Sequence, residues 1–302
     1  MGIEVRDLRK SYGSVHAVQG VSFEVASGSV FAFLGTNGAG KSTTISCITT
    51  VLAADSGAIA VDGLRVGADD ARIRRRIGVV FQSSLLDDRL TVRENLETRA
   101  RFYGLSRAAA RERVASLSGL IQLGPFLDRR YGRLSGGQRR RTDIARALVH
   151  DPAVLFLDEP TTGLDPQSRE QVWEAVHALR ERQGTTVFLT THYMAETEEA
   201  SEVCIIDAGR IVAQGTPAEL RREHSSSVLT VRTADPARLA DAATRLGVTP
   251  AEDGDVWRVP VASAEQARSV MDALGDTLQD FEFRHGTMDD VFLALTQKRA
   301  EP

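Results

Sequence analysis

The segment Gly35-Thr36-Asn37-Gly38-Ala39-Gly40-Lys41-Ser42, followed by Thr43, stands directly behind the apolar run Val30 to Leu34. A strand that feeds a glycine turn and then a helix brings backbone N–H groups and a helix N-terminus together around phosphate. The pattern implies that the chain binds ATP or GTP. Lysine is scarce: Lys10, Lys41 and Lys298 are the only three, against 34 arginines. A lysine at the one position that must reach the β- and γ-phosphates is therefore not expected by chance. The alternative is a glycine-rich turn that holds no ligand.

At 302 residues, with 42% apolar and 26% charged content, the chain has enough core for one large domain or two moderate ones. Its net charge of −4 is unevenly spread, with 13 acidic against 8 basic residues in 228–302 and 28 against 29 before it. An acidic tail is a poor nucleic-acid binder, so no nucleic-acid partner is expected. No apolar stretch approaches the ~20 residues of a spanning helix, and the charged start at Glu4, Arg6 and Asp7 does not read as a signal peptide, which predicts a cytoplasmic protein. Cys47 and Cys204 lie in apolar surroundings without metal-ligand spacing and read as reduced core residues.

Up to about residue 220, short apolar runs alternate with helical patterns. The runs are Ile3 to Leu8, Val21 to Val25, Val30 to Leu34, Gly78 to Phe81, Val154 to Leu157, Val187 to Thr190, Val203 to Asp207 and Arg210 to Gln214. The expected fold class is α/β, with a parallel core sheet and an antiparallel side sheet. Between Gln82 and Leu134 the pattern turns helical, predicting an inserted helical subdomain over about 83–135. The expected nucleotide-binding domain spans 1–222 and a serine-rich linker 223–227. Residues 228–302 read as βαββαβ, a ferredoxin-like unit closed by a helix from Met288 to Thr296.

Val154 to Leu157 reads as a buried strand ending in Asp158-Glu159. Asp158 would hold Mg²⁺ through its water shell while Ser42 ligates it directly. Glu159 is placed to polarise an attacking water as general base. Leu134-Ser135-Gly136-Gly137-Gln138 opens a further helix with an amide-rich N-terminus suited to phosphate. Arg139, Arg140 and Arg141 fall in its first turn, where cations oppose the helix dipole, and individually they read as a solvated face.

Taken together, these segments resemble those of ATP-binding-cassette nucleotide-binding subunits, whose motifs occur here in order over residues 1 to about 222. Gln82 resembles the family's Q-loop glutamine, which the resemblance places among the catalytic and Mg²⁺-side residues. Thr162-Gly163-Leu164-Asp165 resembles the D-loop and His192 the switch histidine. Tyr12 matches the aromatic residue that stacks on adenine. The resemblance implies a two-fold homodimer in which Ser135 to Gln138 of one subunit closes over ATP and Mg²⁺ held by Gly35 to Thr43 of the other.

The carboxy-terminal region, ending Gly286-Thr287-Met288-Asp289-Asp290-Val291-Phe292-Leu293-Ala294-Leu295-Thr296, is similar to the daunorubicin-resistance type of bacterial exporter ATPase. So is Ala100 to Leu105. The resemblance implies an ATPase that drives drug, antibiotic or lipid efflux through a separate type 2 permease. Such a subunit is peripherally attached to the inner face of the plasma membrane. The competing class is a soluble cassette protein acting on nucleic acid or ribosomes. Those carry a long coiled coil or a second cassette, and this sequence has neither. Import is a third reading.

Overall fold

Strand β1 (Ile3–Tyr12) turns back through Gly13 into β2 (Val15–Val25), and the two pair antiparallel from Ile3↔Val25 to Tyr12↔Val15. The computed structural model describes residues 2–297, and the chain divides into two compact units, residues 1–215 and 216–302. After β2 come β3 (Val30–Leu34), α1 (Lys41–Ile48), β4 (Ser56–Val61), β5 (Leu64–Arg65), α2 (Asp70–Arg76) and β6 (Ile77–Val80). The helical insertion contributes α3 (Val92–Phe102) and α4 (Arg107–Leu120), then α5 (Gly136–Leu148) leads back to β7 (Val154–Asp158). The unit ends with α6 (Pro166–Gln183), β8 (Thr186–Thr191), α7 (Met194–Thr197), β9 (Glu202–Asp207) and β10 (Arg210–Gly215).

Two sheets result. The antiparallel side sheet runs β2-β1-β4-β5, and the six-stranded sheet runs β10-β9-β3-β8-β7-β6, parallel throughout except for β10. β3 is buried at all five positions, as befits a strand inside a parallel sheet covered on both faces. Between the layers, Phe23 of β2 packs on Phe31, Phe33 and Phe188, with the Phe31 and Phe188 centroids 5.3 Å apart. Rings at that spacing add about 0.5–1.5 kcal/mol per pair beyond area burial. Both cysteines are buried and free.

In the second unit, α8 (Pro217–His224) precedes β11 (Ser227–Thr233), α9 (Pro236–Arg245), β12 (Ala251–Asp253), β13 (Val256–Val261), α10 (Ala264–Leu274), β14 (Leu278–Arg284) and α11 (Met288–Gln297). The antiparallel sheet order β12-β13-β11-β14 is that of a ferredoxin-like split βαβ fold. Leu229, Val231, Leu239, Val259, Val261, Val270 and Leu274 form its core. α8 groups with this unit, where it packs against α11 and buries Leu220. The break in composition at the serines lies one helix beyond the break in packing, because Thr216 and Glu219 already form a capping box that starts α8 after β10.

Candidate nucleotide site

Because β3, β8, β7 and β6 run parallel, their carboxyl ends share one sheet edge, with Leu34 beside Thr191, Thr190 beside Asp158 and Leu157 beside Val80. Ligands of α/β sheets bind outside such an edge. The loop after β3 turns there into α1 through Gly40, whose φ of 107° is left-handed. Side chains at Gly35 and Gly40 would meet the carbonyls of Ile206 and Ala17 at 2.5 and 2.4 Å, so only glycine lets the loop lie this close. Ala17, Thr36, Asn37, Gly38, Gly40, Lys41, Ser42, Thr43 and Glu159 line a cavity of about 150 Å³.

Lys41 is buried, and its ammonium donates to the carbonyls of Gly35 at 2.7 Å and Thr36 at 3.1 Å. Burial pulls it below its ordinary range, against the opposing charges of Glu159 and Asp158. Glu159 Oε1 stands 3.7 Å from Lys41 Nζ and 3.3 Å from His192 Nδ1. The Glu159 backbone holds φ at +46°, an uncommon conformation for a non-glycine residue, and its amide donates to Thr190 Oγ1 at 3.0 Å. Thr190 Oγ1 in turn donates to Asp158 Oδ1 at 2.6 Å.

The structure thus brings Gly35, Asn37, Gly38, Ala39, Gly40, Lys41, Ser42 and Thr43 together with Asp158, Glu159 and His192. Tyr12, Gln82, Asp165 and Ser135 to Gln138 do not line the same cavity. Tyr12 ends β1 with half its surface exposed, at 51%, and Lys10 Nζ 6.0 Å from its ring centre. Ser135 caps α5 in a capping box, its Oγ accepting from the Gln138 amide and its own amide donating to Gln138 Oε1. Gly137 faces α6 so closely that a Cβ would lie 2.4 Å from Ser168 Oγ. Asp165 caps α6, accepting from the Ser168 amide at 2.9 Å and its hydroxyl at 2.6 Å.

The expectation of a solvated arginine face on α5 is corrected. Arg140 and Arg141 are buried, and Arg139 donates to Gly132 O at 2.8 Å with its cation 5.4 Å from the Tyr131 ring centre. Backbone carbonyls accept hydrogen bonds from all three guanidinium groups, and Arg140 also lies in the field of the Asp143 and Asp158 carboxylates. Sequence reasoning also missed Ala17, Thr190 and Glu196. Glu196 is buried in α7 and accepts a short hydrogen bond from Thr161 Oγ1, and burial pushes its carboxyl up. Of these, only Thr190 carried a signal, as a hydroxyl at the end of an apolar strand.

The donor set suits a nucleoside triphosphate, with an ammonium, a helix N-terminus and a carboxylate converging on one cavity. For a divalent cation, Ser42 and Asp158 supply the oxygen donors that Mg²⁺ prefers. Among the described residues no group of three or more His, Cys, Asp or Glu side chains is placed to hold a metal ion by itself, so phosphate oxygens would complete its coordination.

A phosphate loop on a central parallel strand, an acidic pair ending the strand two places along and a histidine ending the strand between them define a P-loop ATPase of the cassette class. The ABC transporter family model matches residues 18–162. The chain is 43% identical to the daunorubicin/doxorubicin resistance ATP-binding protein DrrA of Streptomyces peucetius, over 99% of this chain and 93% of that one. It is 39% identical to the Nod factor export ATP-binding protein I of Paraburkholderia xenovorans, over 99% and 98%. A dimeric ATP-binding cassette solved in a post-hydrolysis state with ADP and Pi superposes with a TM-score of 0.64 at 27% identity, covering 71% of this chain and 98% of that one. The chain belongs to the ABC transporter ATP-binding family, and its reaction is ATP hydrolysis.

Proposed function

We propose that this chain is the motor subunit of an ABC type 2 exporter and works with a separate membrane-spanning permease. The observation that carries the motor reading is Glu159, held by a strained backbone between Lys41 and the switch-position His192 at the mouth of the phosphate loop. In this reading Lys41 binds the β- and γ-phosphates, Glu159 takes the proton of the attacking water, and His192 orients that water and the γ-phosphate. Bound Mg²⁺ would neutralise charge on the phosphates, with Ser42, Asp158 and Gln82 on its side of the site. Tyr12 stacks on the adenine. Ser135, Gly136, Gly137, Gln138 and Asp165 serve the ATP of a second copy in a closed homodimer. A related cassette solved as a dimer supports this assembly.

The export reading rests on relatives named for drug resistance and Nod factor export. They favour efflux of a drug, antibiotic or lipid over action on nucleic acid or ribosomes. No helix among the described residues is long and apolar enough to cross a membrane, and in this reading the permease supplies the membrane attachment. A groove of about 820 Å³ suits that partner: exposed Val51, Leu85 and Phe102 line it with Arg74, Arg75 and Arg99, and no carboxylate among the described residues does. An amphipathic, acidic cytoplasmic helix of the permease fits there.

The test combines two variants with one preparation. Glu159→Gln is expected to keep ATP binding, lose roughly 10²–10⁴ in turnover and accumulate an ATP-dependent dimer on size exclusion. Lys41→Ala should lose nucleotide binding itself. Purification from the source membrane should bring down a hydrophobic protein with several spanning helices. Wild-type turnover in Glu159→Gln would overturn the role of that carboxylate. Recovery of ribosomes or DNA in place of a permease would overturn the export reading.

A further inference from the structure

Arg140 is only 8% exposed, yet among the described residues no carboxylate hydrogen-bonds its guanidinium. All four of its hydrogen bonds go to backbone carbonyls: Nε to Pro160 O at 2.7 Å, Nη1 to Phe81 O at 2.7 Å, and Nη2 to Asp158 O at 2.8 Å and Glu159 O at 2.9 Å. Three of these carbonyls belong to consecutive residues, one of them Glu159, in the stretch where the backbone adopts its left-handed conformation. The fourth is on the residue before Gln82, and Phe81 itself lines the basic groove.

One turn further along α5, Asp143 accepts from Ser84 Oγ at 2.7 Å and from Tyr131 OH at 3.1 Å. α5 therefore grips the chain on both sides of Gln82, at Phe81 through Arg140 and at Ser84 through Asp143. The same helix opens with Ser135 to Gln138. A planar cation with five fixed donors can hold several carbonyls in one geometry, which an ammonium on a flexible stem cannot.

We propose that Arg140 is a positioning residue for ATP hydrolysis, whose guanidinium ties the backbone of Asp158, Glu159 and Pro160 to the wall of the groove at Phe81. The inference rests on the reading of Glu159 as the group that activates water. It assigns the connection between groove and carboxylate to one side chain. Removing that side chain changes where Glu159 points while the phosphate loop stays intact.

The experiment uses the purified full chain, with steady-state ATPase kinetics and the Kd of a fluorescent ATP analogue as readouts. Arg140→Gln is expected to lower kcat at least tenfold with Kd changed less than threefold, and Arg140→Lys to recover part of the loss. Arg141 is the control for a merely structural arginine, since it is buried in the same helix but donates to Gln122 O and lies over Phe126. Arg141→Gln should lower the melting temperature and leave kcat within twofold. Acting through Glu159, Arg140→Gln added to Glu159→Gln should change the residual rate less than twofold. A full multiplicative loss in the double variant, or wild-type kcat in Arg140→Gln, overturns the proposal. If Arg140→Gln does not fold, Arg140→Met, which keeps an unbranched stem and removes every donor, decides by the same criteria alone and with Glu159→Gln. A wild-type chain that hydrolyses no ATP would instead overturn the motor reading.

Discussion

The Thr190 hydroxyl donates to Asp158 Oδ1 at 2.6 Å while accepting from the Glu159 amide at 3.0 Å, so one side chain of β8 fixes both acidic residues that end β7. Register makes this possible, because Thr190 lies directly beside Asp158 in the parallel pair. Thr190→Val keeps the shape and removes both hydrogen bonds, leaving a carboxylate oxygen and an amide without this partner in a half-buried position, at a cost of about 1–3 kcal/mol. The expected outcome is a lower melting temperature with a fall in kcat larger than the change in ATP affinity. Thr190→Ser should restore both. Wild-type kinetics in Thr190→Val, measured beside its thermal melt, would show that the hydroxyl is not needed to hold the pair.

Tyr12 supplies a second expectation. Its ring is half exposed at the end of a long strand and makes little use of its apolar face within the protein. If that face receives adenine, Tyr12→Ala should lose on the order of 1–3 kcal/mol of nucleotide affinity, and Tyr12→Trp should bind as well as wild type. Isothermal titration with ATP in the non-hydrolysing Glu159→Gln background measures the difference directly. Equal affinities for the alanine variant and its parent would remove Tyr12 from the site.

How far the sequence was legible depended on whether a structural feature is local. The phosphate loop, the acidic pair after Leu157 and the capping serine at Ser135 are short patterns whose geometry follows from neighbouring residues, and each is visible in the chain alone. The parallel core strands read as apolar runs for the same reason. β4, β5 and α2 were not anticipated, since Ser56 to Arg76 mixes glycine, alanine and arginine without a clean period. β2 begins six residues before the expected Val21, because its first half lies half open and carries polar residues. Arg140 was misread because helical position says nothing of the carbonyls that two distant segments, at Phe81 and at Asp158 to Pro160, bring to it.

The amino end of α11 gives a pH-dependent prediction. Asp290 Oδ2 accepts from the Thr287 amide and hydroxyl at 2.8 and 2.9 Å, and Arg284 Nη1 donates to the same oxygen at 2.8 Å. Arg284 above all, then Thr287, hold this carboxyl below the usual range. A carboxylate with a depressed folded pKa stabilises the fold above its unfolded value of about 3.9, and that contribution disappears as pH falls through the folded pKa. Asp290→Asn should therefore lower the denaturation midpoint at pH 7, with the gap to wild type closing as the pH drops below about 4. A gap that stays constant down to pH 3 would assign the effect to packing.

Cutting the chain tests the second unit. Ending it at Gly215 removes α8 together with its packing partner α11, whereas ending it at Arg222 leaves most of α8 with Leu220 deprived of that helix. Every residue from Gly35 to His192 survives either cut. The chain of residues 1–215 is expected to fold and bind ATP with near wild-type affinity, and the chain of residues 1–222 to be less soluble because of the newly exposed leucine. In α11, Met288, Val291 and Phe292 are buried and thus spent on packing, while Leu293 and Phe281 of β14 remain exposed. The exposed pair favours a docking or self-associating role for the unit. ATP-dependent dimerisation and permease-stimulated hydrolysis should therefore weaken in the shortened chain, and in the full chain carrying Phe281→Ser with Leu293→Ser. Unchanged dimerisation and stimulation in all of these would leave the unit without a role in assembly, and loss of ATP binding in residues 1–215 would show that the first unit does not stand alone.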